Sequence, residues 1–138
     1  MTFHIDERLA ADSYRLGKFD DCQLLLSRNA LFPWFILVPV TQEIEFHKLG
    51  PEQQSRIQRH INAVAQFIEE YFSTDKINIA NIGNIVSQLH IHIIGRKRND
   101  ACWPGVVWGT THFSEYKTGD VIIIKKQLAD TLTFFVPD

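Results

Sequence analysis

The stretch Gln88-Leu89-His90-Ile91-His92-Ile93-Ile94 gathers the side chains best suited to chemistry. Successive side chains of an extended strand point to opposite faces, so Gln88, His90 and His92 are expected to share one face. Leu89, Ile91 and Ile93 share the other, where they anchor the strand in a core. A neutral imidazole titrates near physiological pH and offers one bare nitrogen, which suits it to nucleophilic attack, proton transfer or metal ligation. An amide donates and accepts hydrogen bonds but carries neither a transferable proton nor a positive charge. Three such groups on a rigid strand make a preorganised polar platform.

Two plainer readings compete. The segment also fits a half-exposed strand with two solvated histidines, since short motifs arise by chance. Histidines at i and i+2 can chelate zinc or iron, but a metal site needs a third ligand, usually a carboxylate. His4, His47, His60 and His112 stand in no recognisable ligand pattern, so no metal site is assigned. His47 reads as a residue of the approach to a helix and His60 as one on its surface. Cys22 and Cys102 lie far apart without metal-type spacing and read as reduced thiols. Just upstream, Asn81-Ile82-Gly83-Asn84 is a turn by composition. Its glycine allows a sharp bend whose successive N–H groups can cradle an anion, and Asn81 and Asn84 add amide donors.

These residues must be held by surrounding elements. Residues 22–27 and 34–40 read as strands joined through 28–33 into a hairpin with a longer loop. Residues 51–72 form the clearest helix: Gly50 serves as N-cap and Pro51 suits the first helical position. Ile57, Ile61, Val64, Ala65, Ile68, Tyr71 and Phe72 give it one apolar stripe. Residues 76–80 and 88–94 read as further strands, the latter closed by Gly95. A short helix is expected over 5–11. A second, weakly patterned one covers 120–135 with Asp120 as N-cap, although its Val-Ile-Ile-Ile run favours a strand. Together the pieces define an α+β fold, an antiparallel sheet of about five strands with one long packed helix and a C-terminal helix. A chain of 138 residues suits a single domain with a core of its own.

The formal net charge of −2 disfavours general nucleic-acid binding, which calls for a basic surface. The longest apolar stretch, 30–40, contains two prolines and is too short to span a bilayer. The first residues lack the pattern of a secretory signal, so a soluble, cytoplasmic protein is expected.

The segment NIGNIVSQLHIHIIGR resembles the signature of the histidine triad (HIT) family of nucleotide hydrolases and transferases, His-φ-His-φ-His-φ-φ with φ hydrophobic. Gln88, His90 and His92 occupy its triad positions. The hairpin LLLSRNALFPWFILVP is similar to the family's paired strands at the nucleoside pocket. EFHKLGPEQQ is similar to its lead into the long helix, and KINIAN to the strand before the triad, so the likeness spans residues 22–96. Ala101-Cys102-Trp103-Pro104 and Val107-Trp108-Gly109 resemble the tail of a bacterial subgroup that also carries Gln-Leu-His-φ-His.

The resemblance implies a HIT-like fold, a homodimer, and a nucleotide substrate whose phosphoanhydride or phosphoramidate bond is broken. It implies that His90 attacks the α-phosphorus to give a nucleotidyl-histidine that water resolves, and that His92 and Gln88 assist at the phosphate. Leu25, Ser27 and Asn29 would face the nucleoside, and Asn81, Gly83 and Asn84 would hold the phosphate chain. No resident cofactor is implied, any divalent cation arriving as the substrate's complex. Gln88 departs from the full triad. The nucleotidyl transferases of galactose metabolism carry glutamine at the third triad position and favour transfer over hydrolysis, which leaves the outcome here open, down to a nucleotide-binding module with weak turnover. Pro33-Trp34-Phe35 stands where many relatives have Pro-Gly-His, and Ile85 replaces a small hydroxyl residue. Trp34, Trp103 and Trp108 suit either a core or a base-stacking wall, Trp103 best for the wall. Arg96, Lys97 and Arg98 read as a solvated turn, or as a cluster attracting distal phosphates.

Overall fold

The computed structural model describes residues 2–138. A short helix α1 (Glu7–Ala11) leads into strands β1 (Ser13–Phe19), β2 (Cys22–Ser27) and β3 (Trp34–Pro39). The long helix α2 (Pro51–Phe72) follows, then β4 (Lys76–Ala80), β5 (Ile91–Arg96), helix α3 (Asp120–Thr131) and β6 (Val136–Pro137). The strands form one antiparallel sheet in the order β4-β5-β3-β2-β1-β6. The α+β architecture with one long packed helix and a C-terminal helix is as expected; the sheet has six strands rather than about five.

The two strands that the sequence pattern does not locate, β1 and β6, are hidden for physical reasons. In β1 the alternation of polar and apolar residues is interrupted by a bulge, where the register against β2 shifts between Arg15 and Gly17. The β6 strand is only two residues long and directly follows the span 120–135, which reads as helix but is helical only to Thr131. Pro137 cannot continue a helix, and the chain turns back to pair Val136 with Lys18. The N-cap of α3 is Gly119, not Asp120. Asp120 turns its carboxylate back to accept from the Lys117 amide at 3.0 Å.

Helix α2 starts as its sequence dictates, with Gly50 at the N-cap and Pro51 in the first turn. It buries Ile57, Ile61, Val64, Phe67 and Ile68, while Tyr71, expected in the stripe, is left exposed. This face meets Leu24, Leu26, Phe35, Leu37, Ile91 and Ile93, which project from the sheet on that side. Ile124 and Leu128 of α3 extend the same cluster. Both larger helices therefore cover one face of the sheet.

Strand β5 begins at Ile91, later than the sequence pattern suggests, and continues through Gly95 to Arg96. Gly95 does not close the strand; it admits α2. A Cβ there would lie 2.6 Å from both Ile68 Cγ2 and Thr74 Cγ2. Gly95→Ala is expected to overpack this contact and cost about 1–3 kcal/mol, measured as a lower urea midpoint. An unchanged midpoint would mean that α2 does not bear on β5 at this position.

Candidate active site

Strand β5 lies between β4 and β3, with Ile36 of β3 opposite His92 and Trp34 opposite Ile94. Ile91 and Ile93 point towards α2, so the pleat turns His92 to the opposite face. There Leu9, Leu25, Ile36 and Val38 form a second, smaller apolar cluster beneath the N-terminal segment. His90 precedes the paired strand but stays on the side of His92, their ring centroids 4.9 Å apart. Both rings are buried, at 4% and 7% exposure.

Hydrogen bonding assigns each ring a tautomer. His90 Nδ1 lies 2.7 Å from the Gln88 carbonyl oxygen, which can only accept, so Nδ1 carries the proton and Nε2 is left with a free lone pair. Trp34 Nε1–H donates to His92 Nδ1 at 2.9 Å. Indole is a donor only, so neutral His92 carries its proton on Nε2. One ring thus offers a nucleophilic nitrogen and its neighbour offers an N–H. Burial, reinforced by His90, pushes the His92 pKa down to about 4.

The rings open onto two adjoining hollows that share Leu9, Asp12 and His92. The first, of about 450 Å³, runs along Gly83, Asn84, Ile85 and Val86 past His90 and Trp108. Gly83 adopts φ +73°, the left-handed conformation expected of a sharp turn. The second, of about 360 Å³, is walled by Ser27, Asn29, Trp34, Ile36 and Phe113. Volumes of this order suit a small organic ligand.

Not every expected residue reaches these hollows. Gln88 does not aim its amide at the imidazoles. Its Oε1 accepts from the Asp6 amide and its Nε2 donates to the His4 carbonyl, each at 2.8 Å, and it borders a separate hollow. The N-terminal segment draws the amide away by offering it a backbone donor and a backbone acceptor. Leu25 lies in the apolar cluster beneath, 1% exposed. Ser27 and Asn29 line the second hollow, but the Asn29 amide donates to the His112 carbonyl at 3.0 Å and accepts from the Leu31 amide at 3.2 Å. Asn81 is exposed outside both hollows, whereas Gly83 and Asn84 border the first.

Arg96 is no part of a solvated turn. It is buried, with its guanidinium held bidentately by Asp100 at 2.8 and 3.0 Å and by Asn78 at 2.9 Å. Trp103 sits over this guanidinium, and of the two later tryptophans it is Trp108 that reaches the histidines, 5.3 Å from His92. Sequence reasoning missed Arg8, which lines the first hollow and donates to the Ile85 carbonyl at 3.3 Å. It also missed the role of Trp34. A donor-only side chain on the hairpin that resembles the family's nucleoside-pocket strands was the available signal.

The chain belongs to the HIT domain family, which it matches over residues 8–99. A histidine triad protein of Marinobacter aquaeolei VT8 is 38% identical, with a TM-score of 0.90 over 97% of this chain and 98% of that one. One from Sinorhizobium meliloti 1021 is 35% identical, with a TM-score of 0.90 over 95% and 98%. Another, from Bradyrhizobium japonicum, is 32% identical, with a TM-score of 0.89 over 94% and 97%. A comparison with curated proteins finds no match.

The depressed His92 pKa has a consequence for stability. Unfolding returns the ring to about 6.5, so between the two values the unfolded chain binds more protons and acid favours it. The contribution is fully present above the unfolded value and is lost as pH falls towards the folded one. Relative to His92→Asn, the wild type is expected to lose about 2 kcal/mol more between pH 7 and pH 5, measured by urea unfolding. Parallel losses in the two proteins would mean that His92 is not held neutral by the fold.

Proposed function

We propose that the protein is a nucleotide hydrolase or nucleotidyl transferase in which His90 attacks the α-phosphorus of a nucleoside phosphoanhydride or phosphoramidate. The observation that carries this reading is the pairing of opposite tautomers: a bare Nε2 on His90 beside an Nε2–H on His92. In the first step the His90 Nε2 lone pair forms an N–P bond, and the bond to the leaving group breaks with its electron pair. In the second, water or another acceptor forms a bond to phosphorus, loses its proton to solvent, and returns the N–P electrons to His90. The Gln88 carbonyl neutralises part of the charge that develops on the ring in between.

His92 donates to a non-bridging phosphate oxygen whose charge grows as the nucleophile approaches. Gly83 and Asn84 line the path of the phosphate chain, and Arg8 on the same hollow supplies the cation that Gln88 lacks. The nucleoside occupies the second hollow, against Trp34 and Ile36 with Ser27 near the ribose. In this reading Gln88 and Leu25 act indirectly, Gln88 by tying down the N-terminal segment and Leu25 by supporting the pocket floor.

The homodimer belongs to the same proposal. Strand β4 ends the sheet, and exposed Ile79, Ile82 and Ile85 lie on and just beyond it. Pairing of two β4 edges would satisfy the open backbone groups and cover these side chains.

Wild-type protein is expected to release a nucleoside monophosphate from diadenosine polyphosphates or an adenylyl-lysine phosphoramidate. His90→Ala should be slower by about 10³-fold or more, as when a nucleophile is deleted. Acid quenching during turnover should trap a nucleotidyl adduct on His90, seen by mass spectrometry. Equal rates in wild type and variant across the panel, with no adduct, would remove the proposal. Trp34→Phe deletes the donor that fixes His92 and is expected to lower kcat about tenfold. That is less than the roughly 10²–10³-fold cost of deleting an oxyanion donor outright.

A further inference from the structure

On the helix-covered side of the sheet, away from His90 and His92, three side chains of different chemistry converge. Asp21 sits in the tight β1–β2 turn, Cys22 opens β2, and His60 reaches down from the middle of α2. Asp21 Oδ1 lies 3.5 Å from His60 Nε2 and 3.6 Å from Cys22 Sγ, and all three ligand atoms lie within 4.8 Å of one another. A tetrahedral zinc ion bonds nitrogen and oxygen at about 2.0–2.2 Å and thiolate sulfur at about 2.3 Å. Those bond lengths and the tetrahedral angle separate N from O by about 3.4 Å and S from O by about 3.6 Å. Both separations are therefore close to those between ligand atoms of one zinc ion.

The surroundings point the same way. His60 is buried, and its Nε2 has no hydrogen-bond partner among the described residues although it faces the Asp21 carboxylate. An orphaned buried nitrogen carries a desolvation cost that a ligand relieves. Stacking on Phe19 at 4.6 Å fixes the plane of the ring. The backbone of Asp21 is pinned where its carbonyl accepts from the Val40 amide at 2.8 Å. Arg56 holds the other carboxylate oxygen at 3.3 Å and so leaves Oδ1 turned towards His60 and Cys22. Asp20 and Arg59 add one charge of each sign nearby.

We propose that Asp21, Cys22 and His60 form a binding site for a divalent cation of the zinc class, with water as the fourth ligand. Binding replaces the Cys22 S–H bond by an S–metal bond and sends that proton to solvent. Thiolate and carboxylate balance the charge of the ion. The site ties the β1–β2 turn to α2 and is separate from the proposed nucleotide site.

The test uses the full chain produced without an affinity tag, stripped with a chelator and dialysed against zinc alone. About one zinc per chain is expected, with release of about one proton and a rise in the thermal midpoint. Cobalt in place of zinc should give a sulfur-to-metal charge-transfer band that Cys22→Ser abolishes. Asp21→Asn and His60→Gln should weaken binding by more than the roughly 10–100-fold typical of losing an outer-shell partner. Asp21→Asn alters a partly exposed turn, so its circular dichroism should remain that of the wild type and its loss of zinc can be read directly. His90→Ala should still bind one zinc, which separates this site from the nucleotide chemistry. Wild type that retains no zinc, or variants at all three positions that retain it fully, would overturn the proposal.

Discussion

Alternation along β5 ties the core to the candidate active site. Ile91 and Ile93 are drawn beneath α2 because burying them there is favourable, and the pleat then has no choice but to turn His92 to the far face. A slip of one residue would bury an imidazole among the apolar side chains under the helix and remove two isoleucines from that core, so the hydrophobic term enforces the register that the chemistry needs. Gly95 completes the constraint by letting α2 approach closely enough to fill the core side. What positions the histidines is thus mostly apolar packing on the side where they are not.

Given that placement, two hydrogen bonds decide what the rings can do. The Gln88 carbonyl and the Trp34 indole are of opposite type, an acceptor and a donor, and they impose opposite tautomers on neighbouring rings. The indole has a further effect. Adding a proton to His92 would place one N–H against another, since Nδ1 is already the acceptor of Trp34 Nε1–H. That conflict acts in the same direction as burial and the nearby His90, both of which hold the ring neutral. His92 is therefore a neutral donor over the ordinary pH range.

The sequence carried the elements whose period is long and regular: α2, the β2–β3 hairpin and the split of β5 into two faces. It carried less where direction depends on tertiary partners. Gln88 shares the parity of His90 and His92, yet only two of the three lie together, because the N-terminal segment offers the amide a backbone donor and acceptor. Arg96 reads as a surface charge in a basic run, but Asp100, four residues on, folds back to neutralise it. His60 falls among polar residues of α2 and reads as surface. The β1–β2 turn, which covers it, is invisible in helical periodicity. In each case the deciding partner is distant in sequence or sits in an irregular segment, where spacing carries no information.

The proposed chemistry has a consequence that follows from these rings alone. A neutral imidazole N–H is a good hydrogen-bond donor but a poor acid, so His92 can steady charge on phosphate oxygens without protonating a departing group. Gln88 adds no proton, since its amide has none to give and is engaged elsewhere. The burden of departure then falls on the leaving group's own ability to carry negative charge. A phosphate or nucleotide leaving from an anhydride bears that charge readily, whereas an amine leaving from a phosphoramidate must first collect a proton from solvent. Replacing the first imidazole of the triad by an amide, and fixing the last with an indole, thus biases such a site towards anhydrides without removing the nucleophile.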